Sequence, residues 1–472
     1  MKPKVGLLML AAGWFWEKGI QGSDRGRYSK LSSIVEKDTE KIINILKEHV
    51  DLVETGLVYS IDKAANAVEK FKENKIELLI VCHLMWSEDQ PLIKVLNEVS
   101  GTPLLIWCYS PHRRLPPRIN AVELFRGSSP VGTLQSSIVI KKLGKDFDFV
   151  IGSPDDDNVI NAITEYAEVA HMIRELKDIK IGLLPYRCEV MMDTYVDEFR
   201  LMRQLGPTVK FISIAEFSSI AKEIKKSDVA AYVNDLKKKY EIIGVKDRSL
   251  FQSARASLAL VKVAKRFNLD AIAIDDINEE LHRTMGLRPC LYPPALNEMG
   301  TIIGMEGDVT GTLAMLILNR LSGQPTMFTE IFTFDKIDDT IVAGHAGPQN
   351  IMLAKDDKNI KIVTDYEYDT SSELEGAWMY FMAKPGRITM LNLVCDEDSF
   401  KMVIASGEAL DGPEKLEGFP HIHIKLDVPI ERFFTEAVKT GVTHHWAIVH
   451  ADIINKVGKL AEGLRFKKVI IK

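Results

Sequence analysis

Three residues that suit a divalent-cation site, Glu306, Glu330 and His345, lie within the single stretch Gly304–Asn350 (GMEGDVTGTLAMLILNRLSGQPTMFTEIFTFDKIDDTIVAGHAGPQN). Glu306 stands just ahead of an expected helix, where the helix dipole alone favours a carboxylate. Glu330 interrupts the apolar run MFTEIFTF, and in a strand it shares a face with Phe328 and Phe332. A carboxylate placed there needs a partner, because burying it unpaired is costly. His345 follows a strand inside the glycine-flanked turn Gly344–Gly347. Carboxylate and imidazole donors at element ends can hold a metal such as Mn²⁺ and leave positions for water or substrate oxygens. Further histidines stand downstream. His444 and His445 precede Trp446–Val449, where strand alternation turns one of the pair inward and the other away. His421 and His423 share one strand face, a spacing that suits a metal but is also common in exposed strands. Asp335, Asp338 and Asp339 fall in a polar turn that reads as solvated.

The elements that must position these groups read as α/β. Residues 1–172 alternate apolar strands (5–10, 51–57, 77–82, 103–108) with helical patterns (32–49, 62–73, 91–99), which predicts a parallel sheet covered on both faces, a Rossmann-like layout. Ligands in such sheets sit beyond the carboxyl ends of the strands. Two loops fall there, one carrying His83 and Trp86 and the other running from Tyr109 to Arg114. No G-x-G-x-x-G follows the first strand, so no nucleotide cofactor is expected. The segment Arg126–Gln135 is rich in Gly and Ser ahead of a helical pattern; it reads either as a turn or as a loop binding an anion or hydroxyl. A second α/β domain is expected over residues 173–350, with strands at 179–184, 209–214 and 271–274, the last running into Asp275 and Asp276. From 351 to 472, short alternating runs at 360–365, 378–382, 386–394, 399–408 and 421–426 predict an antiparallel, barrel-like β domain. It also holds an amphipathic helix at 429–440, stopped by Gly441. The expected fold class is thus α/β: two Rossmann-like domains followed by a C-terminal β domain.

Bulk properties narrow the function. A net charge of −6, with Lys and Arg in no long block, argues against nucleic acid or an anionic membrane as partner. No apolar run approaches the ~18 residues of a membrane span. The N-terminal MKPKVGLLMLAAGWFW lacks a small-residue cleavage site and reads as a first core strand rather than a signal peptide. Five scattered cysteines without C-x-x-C spacing favour small buried hydrophobes in a reducing cytoplasm over a disulfide framework.

The segment Pro289–Phe334 resembles the core of the L-fucose isomerase/L-arabinose isomerase family, in which an acidic residue before a helix and another in the next strand hold a divalent metal. Here those positions are Glu306 and Glu330. Further along, Lys384–Leu391 (KPGRITML), Val403–Glu408 and Gly441–Val449 (GVTHHWAIV) resemble later motifs of that family, in the same order. The resemblance covers about residues 289–455 and implies His445 as the metal-binding histidine. Arabinose isomerases add a histidine where His345 falls and fucose isomerases do not, which leaves His345 an optional ligand. The Cys82–Glu88 loop is similar to the family's substrate-contacting loop, so His83, Trp86, Gln135 and His444 are candidate substrate contacts. The resemblance also implies a homo-oligomer, often a hexamer.

The implied activity is Mn²⁺-dependent aldose–ketose isomerisation of an open-chain monosaccharide. A cation on O1 and O2 would stabilise the enediolate, and two carboxylates would trade the proton between C2 and C1. Which glutamate takes the C2 proton is open. Two alternatives stand beside this reading. One keeps the fold and metal for a modified or anionic sugar, or for epimerisation, with Arg113, Arg114 and Arg118 available for an anion. The other is a non-catalytic carbohydrate-binding protein.

Overall fold

A computed structural model describes residues 2–15, 30–365 and 376–472. The chain divides into two compact units, Met1–Arg174 and Glu175–Lys472.

The first unit is a five-stranded parallel sheet of β1 (Lys4–Leu10), β2 (Asp51–Val58), β3 (Leu78–His83), β4 (Leu104–Tyr109) and β5 (Asp148–Gly152), in the order β2-β1-β3-β4-β5. Alternation within the strands explains why a nearly continuous apolar run is needed. Val5, Leu7 and Met9 enter one core and Leu8 and Leu10 enter another, so both faces are covered. The strand order reverses between β1 and β3, the arrangement of doubly wound flavodoxin-like sheets. The Gly- and Ser-rich segment does not form a separate loop before its helix. Helix Ser129–Lys142 starts inside it, because Pro130 fits the first turn, where no N–H partner is needed.

The second unit holds a parallel sheet of β6 (Lys180–Leu184), β7 (Thr208–Phe211), β9 (Ala271–Ile274) and β10 (Ile302–Gly304), ordered β10-β9-β6-β7. Helix Glu198–Gln204 is capped by Asp197, and a 3₁₀ turn, Met192–Thr194, precedes it. Between these strands lies β8 (Glu241–Ile243), which joins β13 (Lys361–Thr364) and β14 (Ala377–Tyr380) in a small sheet of its own.

The remaining strands form one sheet in the order β15-β18-β11-β12-β17-β16-β19, where β11 is Thr326–Asp335, β12 Thr340–Gly344, β15 Gly386–Cys395, β16 Phe400–Ala409, β17 His421–Leu426, β18 His445–Val449 and β19 Lys467–Ile471. β15 pairs with β16 as well as with β18. All of these pairings are antiparallel except that of β16 with β19. Although β11 and β12 precede residue 351, they hydrogen-bond to β18 and β17. Apolar inner faces draw them there: Met327, Ile341 and Ala343 share a core with Ile422, Ile424, Trp446 and Ile448. Helix Val309–Ser322 links β10 to β11 and is buried without a break from Val309 to Leu318, which accounts for its all-round apolar sequence.

Candidate active site

Glu306 is held by its backbone. After β10 the chain turns sharply, with Glu306 at φ 56° and Gly307 at φ 63°. A side chain at Gly307 would strike the carbonyl oxygen of Tyr186, so the turn accepts only glycine there. The Glu306 N–H donates to Asp276 Oδ1 at 2.9 Å. Asp276 follows β9, is fully buried, and has Arg288 Nη1 3.6 Å from its other oxygen; Arg288 in turn donates to both oxygens of Asp365 at 2.9 Å. Burial raises the Asp276 carboxyl to about 7 despite the opposing charge of Arg288. Asp308 caps the next helix, accepting from Gly311 N at 2.8 Å and from the Thr310 hydroxyl at 2.7 Å.

The other donors come from one row of the antiparallel sheet. Glu330 in β11 lies directly opposite His445 in β18 on one side and opposite Gly344 in β12 on the other, and His345 is the next residue. Side chains directly opposite each other project from the same face, so the register alone brings Glu330 and His445 together. Asn392 fixes the start of β18 by donating to the carbonyls of Thr443 and His445.

Donor atoms of Glu306, Glu330, His345 and His445 all lie within 4.8 Å of one another. The Nε2 atoms of three histidines face Glu306: His445 at 3.1 Å from Oε2, His444 at 3.5 Å from Oε2, and His345 at 3.6 Å from Oε1. Each has its Nδ1 tied to an oxygen. His445 bonds Asp308 Oδ2 at 2.9 Å, His345 its neighbour's carbonyl, Ala346 O, at 2.7 Å, and His444 bonds Asp193 Oδ2 at 2.6 Å. That is the outer support expected of imidazoles that present Nε2 to a metal or substrate.

Electrostatics agree with a place for positive charge. Burial alone would raise Glu306, but hydrogen bonds from His444 and His445, with the charge of His445, hold it well below the usual carboxylate range. Burial would lower His445, yet Asp308 and Glu306 lift it to about 9. Burial lowers His345, which keeps its imidazole neutral with a free lone pair. Its Nε2 is buried without a hydrogen-bond partner, an orphaned acceptor facing two carboxylates. These residues therefore fit a divalent cation, with two oxygen and two nitrogen donors.

Of the residues singled out from sequence, Glu306, Glu330, His345, His444 and His445 converge; His345 joins the cluster, and His444 does not turn away from His445 as strand alternation predicts, because β18 begins only at His445. His421 and His423 do not join them. His421 Nδ1 bonds the Phe419 carbonyl and its Nε2 accepts from Lys415 N, whereas His423 bonds the Thr340 hydroxyl, so both serve the sheet rather than a metal. Asp339 is not merely solvated, since it accepts from Ile430 N and from Lys425. In the first unit, Trp86 Nε1 donates to Gln135 Oε1 at 2.8 Å, and Trp86 lines a cavity of about 380 Å³ with Phe15, Met85, Phe125 and Ser128. His83 is only 2% exposed, bonded to Ser136 and Ser87, with Gly132 packed against its ring. All five cysteines are free; four are buried and Cys395 is half-buried.

Sequence reasoning placed Asp276 at a strand's carboxyl end without its tie to Glu306, and missed the roles of Asp308, Asn392 and Asp193. Asp308 carries a local signal, an Asp three residues before Gly311 at a helix start. The others act across long sequence separations and carry none.

No protein-family model matches the chain. Among curated proteins, the sulfoquinovose isomerase of Alkalicoccus urumqiensis is 23% identical over 390 residues, covering 81% of this chain and 84% of that protein. The chain is similar to sugar isomerases along most of its length. The sulfoquinovose isomerase of Priestia aryabhattai is 22% identical over 419 residues, covering 87% of this chain and 89% of that one. The L-arabinose isomerase of Mannheimia succiniciproducens is 21% identical over 328 residues, covering 66% and 65%. These relatives support the sugar-isomerase resemblance, though not L-fucose isomerase specifically. A solved periplasmic solute-binding protein from Actinobacillus succinogenes 130z with bound D-allose matches at 11% identity over 68% of this chain and 93% of that one; its TM-score of 0.15 carries no argument. Among the described residues, no helix is long and apolar enough to cross a membrane.

Proposed function

We propose that this chain is a divalent-cation-dependent aldose–ketose isomerase of an open-chain sugar. The convergence of Glu306, Glu330, His345 and His445 donors within 4.8 Å supports this reading most directly. Two carboxylates and two imidazoles suit Mn²⁺ and leave coordination positions for two substrate oxygens. A cation held there supplies stabilisation of the negative charge that develops on the substrate's carbonyl oxygen. Glu306 and Glu330 serve as the base and acid that move the proton between C2 and C1. Asp308 and the Ala346 carbonyl keep the lone pairs of His445 and His345 turned inward. The names of two of the relatives reported above favour a sugar bearing an anionic group, such as sulfoquinovose with its sulfonate, over a neutral pentose. His83, Trp86 and Gln135 belong to this proposal as substrate-contacting or loop-supporting residues. So do a cytoplasmic homo-oligomer, three domains expected at 1–172, 173–350 and 351–472 with β11 and β12 reassigned to the last, and a barrel-like last domain, which the pairing of β15 with both β16 and β18 supports.

The test is a panel of sugars including sulfoquinovose and L-arabinose, followed by proton NMR with Mn²⁺ and with EDTA. The expected result is ketose formation that EDTA abolishes and that Glu306→Gln or Glu330→Gln removes while the protein stays folded. Full activity after EDTA refutes the proposal.

A further inference from the structure

Isomerisation moves two protons, and the glutamates account for only one. The hydrogen on C2 must reach C1, and the hydrogen on O2 must reach O1. Both carboxylates already have the first task. Next to them stands an imidazole without one. His444 Nε2 lies 3.4 Å from Glu330 Oε1 and 3.5 Å from Glu306 Oε2, against both carboxylates assigned to the carbon-bound proton. His444 is partly exposed at the mouth of the site, whereas His345 and His445 are buried beneath it. Its ring packs on His445 with centroids 3.9 Å apart, which fixes the ring plane. Its far side is fixed as well. Asp193 Oδ2 accepts from both the His444 backbone N–H at 3.1 Å and Nδ1 at 2.6 Å. Asp193 belongs to the short 3₁₀ turn Met192–Thr194.

We infer that His444 carries the oxygen-bound proton and that Asp193 is its positioning residue, an inference that rests on the proposed isomerase reading. As the C2–H bond breaks, its electron pair forms the C1–C2 double bond, the carbonyl pair moves onto O1, and a glutamate keeps the proton. Nε2–H of His444 then protonates O1. The O2–H bond breaks next, and its pair forms the C2 carbonyl. The double-bond pair takes the glutamate's proton at C1, and Nε2 takes the proton from O2. Atoms and charge balance, and His444 ends as it began. Asp193 retains Nδ1–H throughout, which confines the exchange to Nε2 and holds that atom toward the substrate. Unlike Asp308, Asp193 supports an imidazole that faces sugar rather than metal.

The experiment uses the full-length Mn²⁺-loaded protein in D₂O with sulfoquinovose and with L-arabinose, quenched with EDTA and read by proton NMR. C2–H exchange in the recovered aldose reports the carbon step, and ketose formation reports both steps. His444→Gln is expected to lower kcat for ketose formation about 100-fold or more while C2–H exchange falls less than about tenfold. Asp193→Ala is expected to lower kcat by about 10–100-fold with KM changed less than about threefold. Asp193→Asn, which keeps an acceptor for both N–H groups, should recover part of that loss. Calorimetric Mn²⁺ titration should give both His444→Gln and Asp193→Ala an affinity within about threefold of wild type, because neither residue is a ligand. Parallel loss of exchange and isomerisation would overturn the relay, as would a tenfold weaker Mn²⁺ affinity or an Asp193→Ala protein with wild-type kcat. A wild-type protein that binds Mn²⁺ but isomerises neither sugar would overturn the isomerase reading, and the relay with it.

Discussion

Asp308 offers the sharpest test of how the site is built, because one carboxylate does two separable jobs. Its Oδ1 caps helix Val309–Ser322 through Gly311 N and Thr310, and its Oδ2 holds His445 Nδ1. Asp308→Ala removes both. Loss of the cap costs about 0.5–2 kcal/mol. Leaving the His445 donor buried and unpaired costs about 1–3 kcal/mol more. Together these give a destabilisation of about 1.5–5 kcal/mol, measured by urea unfolding of the EDTA-treated protein. Asp308→Asn separates the jobs. The amide oxygen keeps the cap, but Nδ2 now faces His445 Nδ1 and needs an acceptor there. The ring must then move its hydrogen to Nε2, the atom that would bind the cation. Stability should change little beyond the lost charge, whereas Mn²⁺ affinity by calorimetry should fall about 10–100-fold, or about 1.4–2.7 kcal/mol. An Asp308→Asn protein that binds Mn²⁺ as tightly as wild type would refute the argument that this carboxylate sets the tautomer of His445.

Three further outcomes follow from the packing. A methyl group at Gly311 would stand 2.5 Å from Asp308 Oδ2 and 2.8 Å from Phe328 Cε2, so Gly311→Ala should destabilise by about 1–3 kcal/mol and weaken Mn²⁺ binding together. Arg288→Met removes a buried guanidinium that faces Asp276 and donates to Asp365; a loss of about 3–5 kcal/mol is expected, and a neutral result in denaturant melts would contradict that reading of the ion pair. His83 is lowered from 6.5 to about 4 by burial. The unfolded chain takes up its proton below about 6.5, but the folded chain does so only near 4. Stability is therefore lost as pH falls through that window, by about 3 kcal/mol in all. Urea melts of His83→Asn between pH 7 and pH 4 should be flatter than wild type by that amount, and identical slopes would place the ring in a wetter setting.

Most of the parallel scaffold was legible because each buried strand is a short apolar run bounded by turns, as in Leu78–His83 and Leu104–Tyr109. Glu306 and Glu330 were legible for the opposite reason, as charges where the pattern calls for apolar residues. What the pattern could not reveal was partnership across long separations. β11 and β12 looked like the end of an α/β domain, and only their pairing with β18 and β17 places them in the antiparallel sheet. The alternation of His421 and His423 was correctly read as a strand, but whether the rings met a metal depended on Phe419, Lys415 and Thr340, which no periodicity reports. Asp193 gave no sign at all, since its partner lies 251 residues away.

The shared sheet row that sets Glu330 beside His445 also has a consequence for how the protein comes into being. His445 and Glu306 are 139 residues apart, and β18 is among the last strands in the chain. A nascent chain that has emerged only through His345 already carries Glu306, Glu330 and His345, yet lacks the imidazole of His445 and the strand that locks them in register. Tight cation capture would then wait until β18 has left the ribosome. Contacts of such long separation also form late and slowly in refolding. Acquisition of Mn²⁺ by refolding protein would thus mark completion of the fold rather than guide it.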